Sequence, residues 1–250
     1  MPATPAWPPN STPRLFVDEL LNEGAEVRIE GGQAHYLLNV MRLKDGAPVK
    51  LFDDRSGEYL ALATAAGKRD LVLTVQGKLR DRAPAADLWL CQALIKKDRL
   101  DWIAEKSCEL GVGRFVPILT QRCVVDKVKE DRLRSQMIEA AEQCERTSLP
   151  EIASLVKLDT LLKDWPQDRT LYFCDERGGE PFGAAVQQRK AQKAAILIGP
   201  EGGFTDSENA AIRAHPSARP VSLGPRILRA DTAAVAAISV WMSKNGDWTA

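Results

Sequence analysis

Histidine is scarce in this chain: His35 and His215 are the only two in 250 residues, and neither lies beside a G-x-S-x-G or a reactive-cysteine context. That argues against a Ser-His-Asp or Cys-His hydrolase, and the absence of H-E-x-x-H argues against a zinc protease. His215, next to Pro216 at a helix end, reads as a surface or capping residue. The five cysteines, at 91, 108, 123, 144 and 174, are odd in number and widely spaced. They indicate neither a disulfide framework nor a C-x-x-C metal site, and read as reduced, mostly buried residues. No apolar run approaches the roughly 20 residues that span a bilayer. The N-terminus, Met-Pro-Ala-Thr-Pro-Ala-Trp, has neither a basic nor an apolar leader region. A cytoplasmic chain with no membrane and no metal partner is expected. Net charge is also missing, since 34 Lys and Arg balance 34 Asp and Glu. Any contact with nucleic acid must therefore come from a local basic patch.

What is present is organised around 194–233, AAILIGPEGGFTDSENAAIRAHPSARPVSLGPRILRADTA. The apolar run Ala194–Ile198 reads as a strand buried on both faces, ended by Gly199-Pro200-Glu201-Gly202-Gly203. Thr205 and Glu208 form a T-x-x-E capping box that opens a helix, stopped by Pro216. Pro220–Leu223 is a second strand, Gly224-Pro225 a second sharp turn, and Ala230–Lys244 an alanine-rich helix with Asp231 as its N-cap. Two glycine loops at the carboxyl ends of parallel strands mark a ligand site in an open α/β sheet. The common phosphate fingerprints G-x-G-x-x-G and G-x-x-x-x-G-K-[ST] are absent, which favours a nucleoside-like ligand over a dinucleotide.

Residues 1–13 hold five prolines and read as a flexible tail. From 14 to 80, short strands at 15–17, 27–29, 49–52, 59–65 and 71–75, with one helix over 35–44, suggest a small barrel. The polar, proline-bearing stretch 81–87 is the expected linker. In 88–250 strands and helices alternate, arguing a parallel sheet covered by helices on both faces. Helices are expected at 98–110, 130–146, 159–165 and 182–189. The apolar stripes are Leu100, Ile103, Ala104, Ser107 and Cys108 in the first, and Leu133, Met137, Ile138, Ala141 and Cys144 in the second.

The pair Ile198–Phe204 (IGPEGGF) and Leu223–Ala233 (LGPRILRADTA) resembles the signature of the RsmE-type ribosomal RNA uridine-N3 methyltransferases of the SPOUT superfamily. Lys97–Gly111, Glu139–Arg146 and His35–Gly46 resemble further family segments, so the likeness covers nearly the whole chain. It implies a PUA-like β-barrel RNA-binding domain over 14–80 and a SPOUT methyltransferase domain over 88–250 with a C-terminal trefoil knot. It further implies S-adenosyl-L-methionine as cofactor and N3 of a small-subunit (16S) ribosomal RNA uridine, position 1498 in the usual numbering, as acceptor. The substrate form expected is the assembled 30S particle, and the expected assembly is a homodimer. Arg14, Arg42, Lys44, Arg146 and Arg226 are the RNA-contact candidates. Strand-end geometry together with the resemblance puts the donor among Phe173, Cys174, Leu197, Ile198, Gly199, Gly203, Leu223, Gly224, Ile227, Leu228 and Thr232.

Methyl transfer suits a site without histidine or metal, because the sulfonium already activates the methyl group and the protein mainly positions donor and acceptor. Loss of the N3 proton spreads negative charge onto the flanking carbonyl oxygens, which a fixed guanidinium stabilises. Arg229 and Arg226 are the candidates, and Glu201 or Asp231 could accept the proton if burial made either more basic. Two other classes stay open on the residues alone: a nucleotide-binding metabolic enzyme using the same loops, and an RNA-binding scaffold with an inert α/β domain. The identity of a bound ligand separates them.

Overall fold

The structure, a computed structural model, describes residues 12–65, 70–188 and 193–249. The proline-rich tail up to residue 11, the turn at 67–69 and Arg189, the expected end of a helix, lie outside the described residues.

The chain forms two units. Unit 1 holds residues 1–84 and 141–148, unit 2 the rest. The sequence placed 141–148 in the second domain, but Arg14 of unit 1 bonds to the carbonyls of Ala141 and Arg146 and so draws this segment to itself. In unit 1, β1 (Arg14–Phe16), β2 (Glu26–Ile29), β3 (Pro48–Phe52), β4 (Glu58–Ala65) and β5 (Leu71–Arg80) form one sheet in the order β1-β3-β4-β5-β2. Only β1 and β3 are parallel. Val49, Leu51, Ala61, Leu73 and Val75 face its core at the alternate spacing of a half-buried strand. The single helix expected over 35–44 is instead a short α1 (Gly31–His35) continued by a π-helical turn, Tyr36–Val40. Arg42 at φ 52° cannot continue a right-handed helix.

Unit 2 carries β6 (Leu88–Ala93), α2 (Lys97–Glu109), β7 (Arg114–Leu119), α3 (Glu130–Gln143), β8 (Glu151–Ile152), β9 (Val156–Lys157) and α4 (Leu158–Lys163). There follow β10 (Thr170–Cys174), β11 (Glu180–Pro181), α5 (Phe182–Gln188), β12 (Ala194–Ile198), α6 (Asp206–Ala214), β13 (Ala218–Ser222) and α7 (Ala230–Asn245). The last residues of α3 fall in unit 1. The sheet runs β11-β13-β10-β12-β6-β7-β8, with β9 also on β7, and every pairing is parallel. Each residue of β12 is buried, as its apolar run required. The stripe on α2 is buried as expected, with Gly111 beyond its end at φ 88°. The second stripe ends sooner: Cys144 lies past the last turn of α3 and is exposed.

β12 and β13 are not neighbours, because β10 lies between them. The two glycine loops therefore flank the carboxyl end of β10.

Candidate active site

Ligand sites in parallel sheets lie outside the carboxyl ends of the strands, and here that edge holds a cavity of about 570 Å³. Four strand ends line it: Lys96 and Arg99 beyond β6, Cys174–Glu176 beyond β10, Ile198–Glu201 with Gly203 and Phe204 beyond β12, and Val221–Leu228 from β13. Arg229, Ala230 and Ala233 complete the wall from the start of α7.

Of the expected donor residues, the cavity gathers Cys174, Ile198, Gly199, Gly203, Leu223, Gly224, Ile227 and Leu228. Phe173 and Leu197 do not belong to it. They pair across β10 and β12 and lie fully buried in one core cluster with Phe204 and Ile212. A strand sends successive side chains to opposite faces, so of each adjacent pair one member enters the core and the other lines the cavity. Thr232 is also outside the lining, and its hydroxyl donates to Asp231 Oδ1.

The two glycines work differently. A Cβ on Gly199 would stand 2.8 Å from the ring of Phe204, which packs edge-on to Phe173 with centroids 5.3 Å apart. Gly199 thus lets the loop fold its own phenylalanine over the strand. Gly224 has φ 113°, a conformation that side-chain-bearing residues rarely adopt, and nothing within 4 Å of where a Cβ would be. It holds a backbone shape beside open space. Past the first loop the capping box is formed: Thr205 Oγ1 accepts from Glu208 N, and Glu208 Oε2 accepts from Thr205 N at 2.9 Å. Glu208 Oε1 also accepts from Gln121 N at 2.7 Å, fixing the loop after β7 beside it.

Asp175, which sequence reading missed, is a buried anchor. Its Oδ2 accepts from Asn209 Nδ2 and from Nε and Nη2 of Arg213, joining the end of β10 to α6. Burial pushes the neighbouring Cys174 thiol up to about 12, which keeps it protonated and unreactive at neutral pH. The other lining residues sequence reading missed include Lys96, Arg99, Val124, Glu176 and Asn209. Among the described residues, no group of three or more His, Cys, Asp or Glu is arranged to hold a metal.

Arg229 occupies the N-cap position of α7 with extended backbone (φ −65°, ψ 154°). Its carbonyl accepts from Ala233 N at 2.8 Å, so the helix uses its main chain and leaves the side chain for the cavity. Asp231 is therefore not the N-cap. It sits inside the first turn and pairs with Arg99 Nη1 at 3.3 Å. Glu201 lines the cavity but is exposed, without the burial that a proton-accepting role required.

The RNA-contact candidates separate. Arg226 lines the cavity, while Arg42 and Lys44 are exposed on unit 1. Arg146 Nε donates to Ser148 Oγ at 3.3 Å within unit 1. Arg14 is corrected: its side chain is 5 % exposed, bonded to Glu58 and to the carbonyls of Ala141 and Arg146, and stacked 3.8 Å over the Phe52 ring. Three of its five N–H donors are used inside the fold, and the side chain is buried away from solvent.

A parallel α/β unit with a strand-end cavity between glycine loops, on the same chain as a five-stranded unit, has the architecture of the RNA methyltransferases. Accordingly, residues 82–242 match the RNA methyltransferase domain family and residues 29–76 the RNA methyltransferase PUA domain family. Ribosomal RNA small subunit methyltransferase E of Rickettsia conorii is 30 % identical over 229 residues, 90 % of this chain and 93 % of that protein. The protein of that name from Bacillus subtilis is 30 % identical over 243 residues, 90 % of this chain and 94 % of its own length. The crystal structure of the Neisseria gonorrhoeae protein of the same name, bound to S-adenosylmethionine, superposes with a TM-score of 0.81 at 27 % identity and covers 93 % of this chain and 97 % of that one. A Legionella pneumophila methyltransferase solved with bound S-adenosylmethionine gives 0.82 at 29 % identity, with the same two coverages.

The chain belongs to the ribosomal RNA small subunit methyltransferase E family. Unit 2 is its SPOUT-type α/β domain and unit 1 its PUA-like barrel domain.

Proposed function

We propose that this protein transfers a methyl group from S-adenosylmethionine to N3 of a uridine in small-subunit ribosomal RNA, the residue numbered 1498 in the usual scheme. The observation that carries the reading is the cavity itself, a space of the right order for a drug-sized ligand, walled by both glycine loops and by Ile198, Leu223, Ile227 and Leu228. Ile227 is 85 % exposed, an apolar surface suited to an adenosyl group. The residues present fit that donor: apolar side chains for the base, and backbone at Gly224 that nothing screens.

When bound, the donor supplies a methyl group already activated by its sulfonium. Ile198, Leu223 and Leu228 hold it and exclude water, and the Arg229 fork holds the uracil carbonyl oxygens as N3 loses its proton. Glu201, exposed on the cavity wall, is not made more basic by burial, so in this reading the N3 proton passes to solvent. Arg226, Arg42, Lys44 and Arg146 are the RNA-contact residues of this reading. A cytoplasmic homodimer and a C-terminal knot belong to it as well. Trp241 of α7 is 1 % exposed and packs into the core of its own chain. Light scattering at micromolar concentration tests the assembly.

Calorimetric titration with S-adenosylmethionine, followed by nucleoside analysis of treated 30S particles, tests the whole. The wild type should bind the donor and yield N3-methyluridine. Gly224→Val, strained at φ 113°, should bind at least tenfold more weakly, about 1.4 kcal/mol, and the backbone strain should also lower its melting. Binding of ATP or NAD in place of the donor would favour a metabolic enzyme, and no ligand binding at all a scaffold.

A further inference from the structure

Charges around the cavity are sorted by the strand they follow. The carboxylates Asp175 and Glu176 lie beyond β10 and Glu201 beyond β12. The cations come from two segments far apart in sequence, Lys96 and Arg99 at the β6–α2 junction and Arg226 and Arg229 between β13 and α7. Asp175 is taken up by Asn209 and Arg213, and Arg99 is tethered to Asp231 at 3.3 Å. Lys96, Arg226 and Arg229 make no side-chain hydrogen bond or ion pair among the described residues. Three cations thus line one cavity without a hydrogen-bond or ion-pair partner among the described residues, an arrangement that suits an anionic occupant.

The donor does not account for this surplus. It brings a sulfonium, an ammonium and a single carboxylate, whereas an RNA acceptor brings a phosphate at every nucleotide. With Arg229 on the base, cations remain for the backbone.

Resting on the methyltransferase reading, we propose that Lys96, supported by Arg99, is a phosphate-binding residue for the acceptor RNA. Lys96 is the N-cap residue of α2, exposed and on the cavity wall, with no partner for its ammonium among the described residues. A compact ammonium on a long stem accepts a phosphate in many orientations, whereas the neighbouring guanidinium is oriented by Asp231. The first-turn amides of a helix of this length add a favourable field for an anion.

The test uses Lys96→Gln and Lys96→Arg in the full chain, with 30S particles from cells lacking the modification. For Lys96→Gln the KM for particles should rise about tenfold, with kcat, melting and calorimetric affinity for S-adenosylmethionine unchanged. The slope of log(kcat/KM) against log[salt] should become shallower by about one. Lys96→Arg should restore most of the KM. Weakened donor affinity with an unchanged salt slope would overturn the proposal and place the ammonium on the donor carboxylate. No change in either quantity would overturn it too, leaving Lys96 as a solvated helix start. Failure of the underlying reading is separately visible, because the wild type would then neither bind the donor nor methylate.

Discussion

The ion-paired basic residues of unit 1 and those around the cavity of unit 2 are the same two amino acids in opposite circumstances. In unit 1, Arg14 and Arg80 share the buried carboxylate of Glu58, Lys50 pairs with Glu145, Lys78 with Asp81 and Arg82 with Asp54. At the cavity, Lys96, Arg226 and Arg229 have no such partner among the described residues, and Arg99 is the one held by a carboxylate. A guanidinium has five donors. Where the fold uses three of them in a buried side chain, as at Arg14, the residue is part of the architecture; where it uses none, as at Arg229, all remain for a ligand. In a chain of zero net charge, pairing rather than composition separates the two kinds.

Removing each kind of arginine should sharpen that contrast. The largest effect is expected from Arg14→Ala, which removes one of the two guanidinium partners of buried Glu58 and the donors to the Ala141 and Arg146 carbonyls, leaving Arg80 on the carboxylate. Arg80 still compensates Glu58, but two carbonyl acceptors and the stacking on Phe52 are lost, so denaturant unfolding should show a loss of about 3 kcal/mol. A loss below about 1 kcal/mol would put Arg14 with the exposed pairs and erase the distinction.

Next comes Arg229→Ala. Melting and donor affinity should stay near wild type while methyl transfer to 30S particles falls about a hundredfold, equivalent to about 2.7 kcal/mol of transition-state stabilisation. Lysine should restore only part, because it lacks the planar fork. Full activity in the alanine variant would remove the arginine from the mechanism.

The smallest effect concerns acid. Burial alone would raise the Glu58 carboxyl, but hydrogen bonds and charges from Arg80 and Arg14 outweigh it and hold the group below its ordinary value. A carboxylate lowered in the folded state contributes stability above the unfolded value, near 4.3, and that contribution fades as pH falls through the folded value. Unfolding free energy measured from pH 6 to pH 3 should therefore drop below about pH 4.3 in the wild type. Glu58→Gln should start lower at neutral pH and fall less steeply. Parallel slopes in the two proteins would mean that other carboxylates carry the acid loss.

Much of this was readable in the chain. The apolar run Ala194–Ile198, the Thr205/Glu208 capping box, the stripe on α2 and the glycine loops are local signals, each set by residues a few positions apart, and each formed as read. The resemblance added the family. The cavity lining was legible where a loop named it and lost where burial decided it. Phe173 and Leu197 were chosen with their neighbours, and the pleat sent them to the core. Arg14 looked like any basic residue at the start of a strand, with no signal in its surroundings that Glu58, 44 positions away, would claim it.

By itself the sequence determined the order and kind of the main elements, the turn geometry at Gly224 and the cap of α6, because these follow from short-range backbone preferences and side-chain chemistry. Tertiary structure alone decided that β10 lies between β12 and β13, so that both glycine loops open on one strand end. It also brought Arg99 within 3.3 Å of Asp231, across 132 positions of chain, and gathered Lys96 with Arg226 and Arg229 around one cavity. Strand order and long-range pairing are set by which buried faces meet, and no local window of sequence carries that information.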